Sequence, residues 1–297
     1  MTQTRLAIVT LTKDNLDELE VTLKSVFLQK MHPSLHLVVD SSAGKNADRA
    51  CELALNYGAS YHWIEPIGIY PAMEASLSFL GDSTYVMWLN SSDWLVGPES
   101  VSQLQDALSQ NPGVSWLTGE LLRREASRLR FHRTGADGAE FLRAMNLGFT
   151  GFPHPSTVFN VEKITTAGGY RDGMNYRVAN DYDLALRFGR LFGPPLILRF
   201  PISFQVPDGF SAEHKVLGHL ERTAIRLRRA PLRLSLMSLA LLGRHLVVAI
   251  LRDLGILPLR RNSSSIQDVW SLSHFCSKTT DQDWPTCCDQ YLGVRGA

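Results

Sequence analysis

Tyr85-Val-Met-Trp-Leu-Asn-Ser-Ser-Asp93 comes closely after Glu65-Pro-Ile-Gly-Ile-Tyr-Pro-Ala-Met-Glu74, and these two stretches decide the fold that the sequence predicts. The later stretch indicates a short buried strand, apolar from Tyr85 to Leu89, that ends abruptly in polar residues. Ligands of open α/β sheets bind outside the carboxyl ends of the strands. Asp93 is therefore well placed for chemistry, because a carboxylate there can hold a hard divalent cation that neutralises a diphosphate.

A purely structural role for Asp93 fits the same local pattern. The residue could turn or cap the chain after the strand. The next helix is predicted to begin near Pro98, with proline in its first position, which leaves Asp93 too far upstream to be its cap. The local pattern by itself leaves both roles open.

Strand and helix patterns alternate through the first two-thirds of the chain, which predicts an α/β fold with a doubly wound, mostly parallel sheet. Apolar and β-branched runs predict strands at residues 6–10, 35–39, 61–64, 85–89 and 196–200. Apolar residues at helical spacing predict helices at residues 15–29, 47–56, 70–80 and 101–108.

Length and composition set wide limits on function. The 297 residues can bury a substantial core, either as one large domain or as one domain with an appendage. A formal net charge of +1 gives no overall attraction to nucleic acid, so no nucleic-acid partner is predicted. The first residues lack the features of a secretory signal. Four cysteines show neither a paired framework nor metal-binding spacing, so a cytoplasmic location is predicted: Cys51, Cys276, Cys287 and Cys288.

The two opening stretches resemble the family-2 glycosyltransferases with the GT-A fold, which are nucleotide-sugar enzymes. That family carries a Gly-Ile-Tyr-Asp-Ala-Met-Asn-like segment ahead of a strand ending in Leu-Asn-Ser-Gly-Asp or Leu-Asn-Ala-Asp-Asp. The chain matches it at Gly68-Ile69-Tyr70, Ala72-Met73 and Leu89-Asn90-Ser91. The resemblance implies a nucleotide diphosphate sugar donor bound near Gly68 and Ser92, with Asp93 holding Mg²⁺ or Mn²⁺.

Two further strand ends match the family's nucleoside-binding positions. Thr10 and Thr12 end the first predicted strand and fit the family's Thr-x-Thr-Tyr-Asn pattern, although Lys13-Asp14 replaces its Tyr-Asn. Asp40 ends the second strand, where the family carries an Asp that recognises the base of the nucleotide. A carboxylate suits this role because it accepts a hydrogen bond from a ring N–H. The alternative for Asp40 is an Asx-turn leading into the next two serines.

The segment Asn180-Asp181-Tyr182-Asp183-Leu184 resembles the family's Glu-Asp-Trp-Asp-Leu or Ala-Asp-Tyr-Asp-Leu segment. In inverting members the first Asp is the general base that deprotonates the acceptor hydroxyl. A structural account makes Asn180 the N-cap of a helix and places Asp183 in its first turn, where the helix dipole favours it. That account leaves Asp181 without a structural role. We therefore expect catalysis from Asp181 and capping from Asp183.

His154 stands between two prolines in a stiff loop, and related enzymes often carry a His before the equivalent strand. The residue could contact the acceptor or the metal. A lone His is more often a surface or hydrogen-bonded residue, and that alternative is the more typical one.

Two other functions share parts of this pattern. A catalytically silent nucleotide-sugar binder would suit the replacement of the family's Asp and Asn by Pro71 and Glu74. A sugar-nucleotide pyrophosphorylase shares the sheet plan, but it is expected to carry a Gly-rich, basic loop after the first strand. Residues 11–14 do not form such a loop.

The sequence predicts a GT-A catalytic domain at residues 1–212, a basic amphipathic helical extension at 213–260, and a polar tail at 261–297 without an assigned role. No apolar run in the extension reaches the length needed to span a bilayer. A possible membrane-surface contact through residues 221–257 is predicted, at the inner face of the membrane, where a saccharide or lipid-linked acceptor would be met. A helix packed on the catalytic domain or a dimer contact is the alternative. The basic stripe comprises Arg222, Arg226, Arg229, Arg233 and Arg244.

Overall fold

Nine strands form one mixed sheet in the part of the chain that the structure describes. The structure is a computed structural model, and it describes residues 4–125, 128–132, 134–135, 137–170, 176–206 and 214–229, with the single positions 243 and 247. The strands are β1 Leu6–Thr12, β2 Leu35–Asp40, β3 Ser60–Trp63, β4 Tyr85–Trp88, β5 Trp94–Leu95, β6 Trp116–Glu125, β7 Arg128–His132, β8 Thr157–Asn160 and β9 Leu196–Gln205.

The strands lie across the sheet in the order β3-β2-β1-β4-β8-β6-β9-β5, and β7 pairs with β6 outside this path. All neighbours from β3 to β4 are parallel, whereas β8 runs antiparallel to both β4 and β6. β6 and β9 are parallel again, and β5 is antiparallel to β9. The predicted parallel arrangement therefore holds for the half of the sheet in which β1, β2 and β4 end at a common edge.

The helices come mostly between the strands, as the alternating pattern predicts. They are α1 Leu16–Phe27, α2 Lys45–Asn56, α3 Ile69–Ser76, α4 Ser100–Gln110, α5 Gly138–Leu147, α6 Val161–Ala167, α7 Asn180–Phe192 and α8 Lys215–Arg229. Two short 3₁₀ turns, Leu77–Phe79 and His154–Ser156, precede β4 and β8.

Helices cover both faces of the sheet, as the side chains of β1 show. Ala7 and Val9 join a hydrophobic cluster with residues of α3 and α7, whereas Leu6 and Ile8 join another cluster with residues of α4. Successive side chains of a strand point to opposite faces. The central strand is therefore buried on both sides, which explains its uninterrupted apolar sequence.

The helix predicted to begin near Pro98 begins two residues later, and the prediction that proline occupies its first position is wrong. Helix α4 begins at Ser100, with Glu99 in the N-cap position. A turn occupies the preceding residues, because the Ser100 N–H donates to the Gly97 carbonyl at 3.2 Å and the Gly97 N–H donates to Ser100 Oγ at the same distance. Pro98 lies within this turn and not in the first helical turn.

Helix α8 packs against α7, one of the helices that cover the sheet. Ile225 is fully buried in the same hydrophobic cluster as residues of α7, and the side chains of Glu221 and Arg226 are also buried. The alternative of a helix packed on the catalytic domain therefore applies to residues 215–229. The remainder of the predicted extension, apart from the single positions 214, 243 and 247, and all of the predicted tail lie outside the described residues.

The predicted basic stripe does not form a solvent-facing surface on α8. Arg226 donates to Thr223 Oγ1 at 3.0 Å, and Arg229 donates to a carboxylate of α7. Arg222 is half-buried, and the stripe's other two members lie outside the described residues. The helical periodicity correctly places the first three arginines on one face, but that face is turned to the protein. No helix among the described residues is long and apolar enough to cross a membrane.

Candidate functional site

A cavity of about 840 Å³ opens where β1, β2 and β4 end, as expected for an open α/β sheet. Its walls are the segments directly after these strands and the starts of α3 and α7. The lining residues are Leu11, Thr12, Lys13, Asn15, Val39, Ser41, Pro66, Ile67, Gly68, Ile69, Tyr70, Pro71, Ala72, Asn90, Ser91, Ser92, Tyr176, Arg177 and Asn180.

Three of the predicted donor-binding residues, Thr12, Gly68 and Ser92, line this cavity. Thr12 Oγ1 donates to Asn15 Oδ1 at 2.6 Å, and Asn15 Nδ2 donates to Ser91 Oγ at 2.8 Å, so the ends of β1 and β4 are joined by side chains. Gly68 has a φ of 101°, a conformation that side chains disfavour. Ser92 adopts a φ of 81° without being a glycine, at the position where one form of the family motif has Gly.

Thr10 and Asp40 do not line the cavity. Thr10 is buried, and its Oγ1 lies 3.1 Å from His36 Nε2. Burial lowers the pKa of His36 to about 4. Asp40 is fully buried, and its Oδ1 accepts from the N–H and hydroxyl of Ser42 at 2.8 and 2.6 Å. Tyr61 donates to Oδ2 at 2.9 Å. This is the Asx-turn alternative, and protein groups engage both carboxylate oxygens of Asp40.

Asp93 also lies outside the cavity lining, with only 5% of its surface exposed. Burial raises the pKa of its carboxyl group to about 8, while the positive charge of Arg123 and a hydrogen bond from the Val206 N–H oppose that shift. Among the described residues there is no group of three or more His, Cys, Asp or Glu that could hold a metal ion. In this arrangement the residues do not fit a metal ion anchored by Asp93.

Asp181 stands beside the cavity at the start of α7. Its Oδ1 accepts from the Tyr182 N–H at 2.8 Å and lies 3.1 Å from the hydroxyl of Tyr70, which lines the cavity. Burial, and then the charge of Asp181, raise the pKa of Tyr70 well above its usual value. Within the described ranges Oδ2 accepts no hydrogen bond. The Tyr182 N–H therefore fixes one oxygen of this carboxylate beside the hydroxyl of Tyr70 in the cavity wall.

The predicted capping roles at the start of α7 are wrong. Ala179 occupies the N-cap position without a side-chain bond, and Asn180 is the first helical residue and lines the cavity. Asp183 lies in the first turn, as predicted, but it is only 1% exposed and faces the protein interior. It accepts from Arg187 Nε at 2.8 Å and from Arg229 Nε at 2.6 Å. Two guanidinium partners, and not the free amides of the helix end, engage this carboxylate.

Glu221 of α8 is a site residue that sequence reasoning missed. Its Oε1 accepts from the Arg177 N–H at 2.8 Å, and its Oε2 accepts from the N–H groups of Val178 and Ala179 at 2.8 and 2.9 Å. One carboxylate thus fixes the three residues that lead into Asn180 and the cavity wall. No local pattern signals this role, because the bonded residues are 42 to 44 positions apart.

Two residues that the sequence singled out have structural partners. Glu74 accepts a hydrogen bond from the Tyr170 N–H at 2.6 Å, so this departure from the family pattern ties α3 to the turn after α6. His154 is buried, its Nε2 lies 2.7 Å from the Tyr170 hydroxyl, and burial lowers its pKa. His154 does not line the cavity, which agrees with the alternative of a hydrogen-bonded histidine.

Comparison with curated proteins finds similarity to an uncharacterized glycosyltransferase of Mycobacterium tuberculosis, represented by two strains. The identity is 27% over 234 residues, which cover 76% of this chain and 85% of the relative. No protein-family model matches the chain.

Comparison with solved structures finds the same fold in several proteins. A mannosyltransferase from Pyrobaculum calidifontis, in complex with GDP-Man and Mn²⁺, aligns with a TM-score of 0.58 at 15% identity over 99% of this chain and 84% of its own. TarS 1-349 of S. aureus, in complex with UDP, aligns with a TM-score of 0.55 at 12% identity over 82% of this chain and 71% of its own.

Glucosyl-3-phosphoglycerate synthase from Mycobacterium tuberculosis aligns with a TM-score of 0.53 at 17% identity, over 76% of this chain and 80% of its own. The chain spans only 40% of a longer TarS structure. These likenesses confirm the predicted GT-A type of α/β fold.

Proposed function

We propose that this chain is a glycosyltransferase that binds a nucleotide diphosphate sugar in the cavity beyond β1, β2 and β4 and transfers the sugar to an acceptor hydroxyl. The observation that carries the proposal is a single constellation. Thr12, Gly68 and Ser92, which match the family's donor-binding positions, line the cavity. Asp181 lies beside the cavity, and its Oδ1 is 3.1 Å from the hydroxyl of Tyr70 in the cavity wall. The mycobacterial relative named as a glycosyltransferase, and the fold shared with solved nucleotide-sugar enzymes, support the same activity.

Asp181 acts as the general base in this proposal. Its Oδ2, which accepts no hydrogen bond from the described residues, takes the proton of the acceptor hydroxyl as the acceptor oxygen attacks the anomeric carbon. The bond from that carbon to the diphosphate oxygen breaks on the opposite face, and the nucleotide diphosphate leaves with the electron pair. Attack opposite the leaving group inverts the anomeric configuration. The Tyr182 N–H fixes Oδ1 beside the hydroxyl of Tyr70, a residue of the cavity wall.

Of the features that the family resemblance implies, a bound metal ion has the least support from the geometry of the site. Mg²⁺ or Mn²⁺ bound to the donor would neutralise the charge of the leaving diphosphate. Asp93, its implied ligand, is buried and engaged with the Val206 N–H, so no step of this mechanism passes through a metal. Measuring the binding of a nucleotide diphosphate to Asp93→Asn in saturating Mn²⁺ tests the implied role directly, because metal anchoring by Asp93 requires that binding to be lost.

The acceptor in this proposal is a saccharide or a lipid-linked saccharide, met at the cytoplasmic face of a membrane. Residues 230–257, where the leucine-rich part of the chain includes Arg233 and Arg244, would supply a peripheral surface contact. A silent nucleotide-sugar binder remains the competing function, and it differs from the proposed one only in turnover. No observation favours a pyrophosphorylase.

A paired binding and transfer experiment tests the proposal. Calorimetry with UDP and GDP, and transfer or hydrolysis assays with the matching sugar nucleotides, are run on the wild-type chain, Asp181→Asn and Asp183→Asn. General-base catalysis contributes about 10²–10⁴-fold, so Asp181→Asn is expected to lower turnover at least about 100-fold with little change in donor affinity.

The matched variant Asp183→Asn is expected to lower stability, because it leaves two arginines that pack against the protein without their carboxylate. Binding without turnover in the wild-type chain would identify the silent binder. A near-normal transfer rate in Asp181→Asn would exclude this residue as the base.

A further inference from the structure

We infer that Lys13 and Arg177, rather than a metal ion held by Asp93, supply the positive charge that binds the diphosphate of the donor. This inference rests on the proposed donor-binding function of the cavity. It assigns two residues that have no part in the family motifs, and it predicts that nucleotide diphosphates bind without a divalent cation.

The charge of the cavity wall is the first observation. Of the cavity-lining residues that the structure describes, only Lys13 and Arg177 carry a charged side chain, and both are cationic. Lys13 comes directly after the end of β1, and Arg177 precedes α7, so the two cations come from separate segments of the wall. Both residues are exposed, which leaves their charged groups accessible to a ligand that enters the cavity.

The placement of Lys13 is fixed by the neighbouring residue. The Asp14 N–H donates to Ser42 Oγ at 2.8 Å, and Asp14 Oδ1 accepts from Asn46 Nδ2 at 3.0 Å. Asp14 therefore ties the segment after β1 to the start of α2. The hydrogen bond from Asn46 is the main cause that lowers the pKa of Asp14, and the positive charge of the adjacent Lys13 lowers it as well. Lys13 stands where the resembled family has Tyr, so this departure from the motif adds a cation to the wall.

The placement of Arg177 is fixed by Glu221, which accepts its backbone N–H at 2.8 Å. The bond holds the main chain, and the exposed guanidinium group has no hydrogen bond or ion pair within the described part of the chain, so it can contact a ligand. A guanidinium group presents its N–H donors in a planar fork that matches phosphate oxygens, and hydrogen bonds between ionised groups are about twice as strong as neutral ones. Arg177 and Lys13 together can offset most of the charge of a nucleotide diphosphate.

The position of Asp93 is the second, independent observation. A divalent cation in the cavity would need oxygen ligands on the wall, and carboxylates are the ligands that these hard cations prefer. No carboxylate belongs to the described lining, and Asp93 is buried against Val206. The described cavity wall thus contains two cations that can bind the diphosphate, and it contains no carboxylate that could bind a metal ion.

Calorimetry of nucleotide binding tests this inference. UDP, GDP and uridine are titrated into the wild-type chain, Lys13→Met and Arg177→Met, once with EDTA and once with Mn²⁺. The controls are Lys215→Met and Arg190→Met, which remove exposed cations of the same types outside the cavity. Thermal unfolding of each variant confirms that the fold is retained.

The wild-type chain is expected to bind UDP or GDP with the same affinity, within about twofold, in EDTA and in Mn²⁺. Each cavity variant should weaken that binding by at least about tenfold, as expected for the loss of a charge-assisted contact, and should leave the affinity for uridine unchanged. The controls should match the wild-type chain.

Binding that requires Mn²⁺ and survives both cavity substitutions would overturn the inference while leaving the proposed donor site intact. A failure of UDP and GDP to bind in either condition would overturn the inference and the proposed function together.

Discussion

Asp93 shows how a single residue can match a motif and still be held in another environment. The residue ends the right strand in the right sequence, yet its carboxyl group is buried and its pKa is raised to about 8, mainly by burial. The groups that face the carboxyl are not visible in the local sequence. Arg123 and Val206 lie far along the chain, on or beside β6 and β9.

The raised pKa of Asp93 predicts a specific dependence of stability on pH. An Asp whose folded-state pKa is raised from 3.8 to about 8 keeps its proton in the folded state while the unfolded chain ionises. The contribution of Asp93 to the free energy of unfolding is complete below the pKa of 3.8 that the group has in the unfolded chain. This contribution is lost as the pH rises toward the folded-state pKa of about 8. Asp93→Asn removes the titration, so its melting temperature should exceed that of the wild-type chain by a margin that grows from about pH 5 to about pH 8.

Thermal unfolding of both chains across this range, without nucleotide or metal, measures the margin. Asn can still accept the hydrogen bond from the Val206 N–H, which keeps the comparison close to a change of charge alone. A margin that stayed constant with pH would mean that the carboxyl group is ionised in the folded protein, as a metal ligand must be.

At the scale of elements, α8 acts on the site through Glu221. The helix carries a carboxylate that accepts three consecutive backbone N–H groups just before α7, and these residues lead into Asn180 and Asp181. A buried carboxylate that accepts several hydrogen bonds stabilises the segment more than a neutral acceptor would. The cavity wall on this side therefore depends on a helix that the family motifs do not include.

Glu221→Gln tests this dependence. The substitution keeps the size of the side chain but replaces one acceptor oxygen with an N–H₂ group that faces donors, so the free energy of unfolding should fall by at least about 1.5 kcal/mol. Binding of UDP or GDP should weaken as well, because Arg177 and Asn180 lose their support. Glu52→Gln, an exposed change on α2, should stay within about 0.5 kcal/mol of the wild-type chain. Urea unfolding and calorimetry give both quantities, and normal binding by a destabilised Glu221→Gln would separate α8 from the site.

The elements themselves were largely predictable from the sequence. β1, β2 and β4 begin at the predicted residues because their apolar runs have clear starts, and Thr12, Gly68 and Ser92 line the cavity because strand ends in a parallel sheet share one edge. The environments of Asp40 and Asp93 were not predictable in the same way. The bonds from Ser42 to Asp40 agree with the Asx-turn alternative, but Tyr61 and the partners of Asp93 on or beside β6 and β9 lie far along the chain, and local periodicity carries no information about such contacts.

At the scale of the whole molecule, residues 215–229 pack with the helices that cover the sheet. The predicted boundary at residue 212 separates α8 from the residues that it contacts. A chain ending at 212 would lose the carboxylate of Glu221, the buried side chain of Ile225 and the bond from Arg229 to Asp183. Removing one partner of a buried ion pair costs about 3–5 kcal/mol, which is a large part of the roughly 5–15 kcal/mol that stabilises a typical protein. A chain ending at residue 229 keeps these contacts and is the better reference for testing the role of residues 230–297.

That shorter chain makes the predicted membrane contact testable without disturbing the fold. Three arginines of the predicted stripe are turned to the protein on α8, so we expect the attraction to anionic lipid to come from residues after 229. Basic residues near an anionic surface contribute about 1 kcal/mol each, and apolar burial adds to this attraction. The full chain should therefore pellet with anionic liposomes at low salt and be released at high salt, whereas the chain ending at 229 should stay in the supernatant. If both chains pellet, the membrane contact lies within residues 1–229, where α8 exposes Val216 and Leu220. If neither chain pellets, residues 230–257 have a packing or oligomeric role instead.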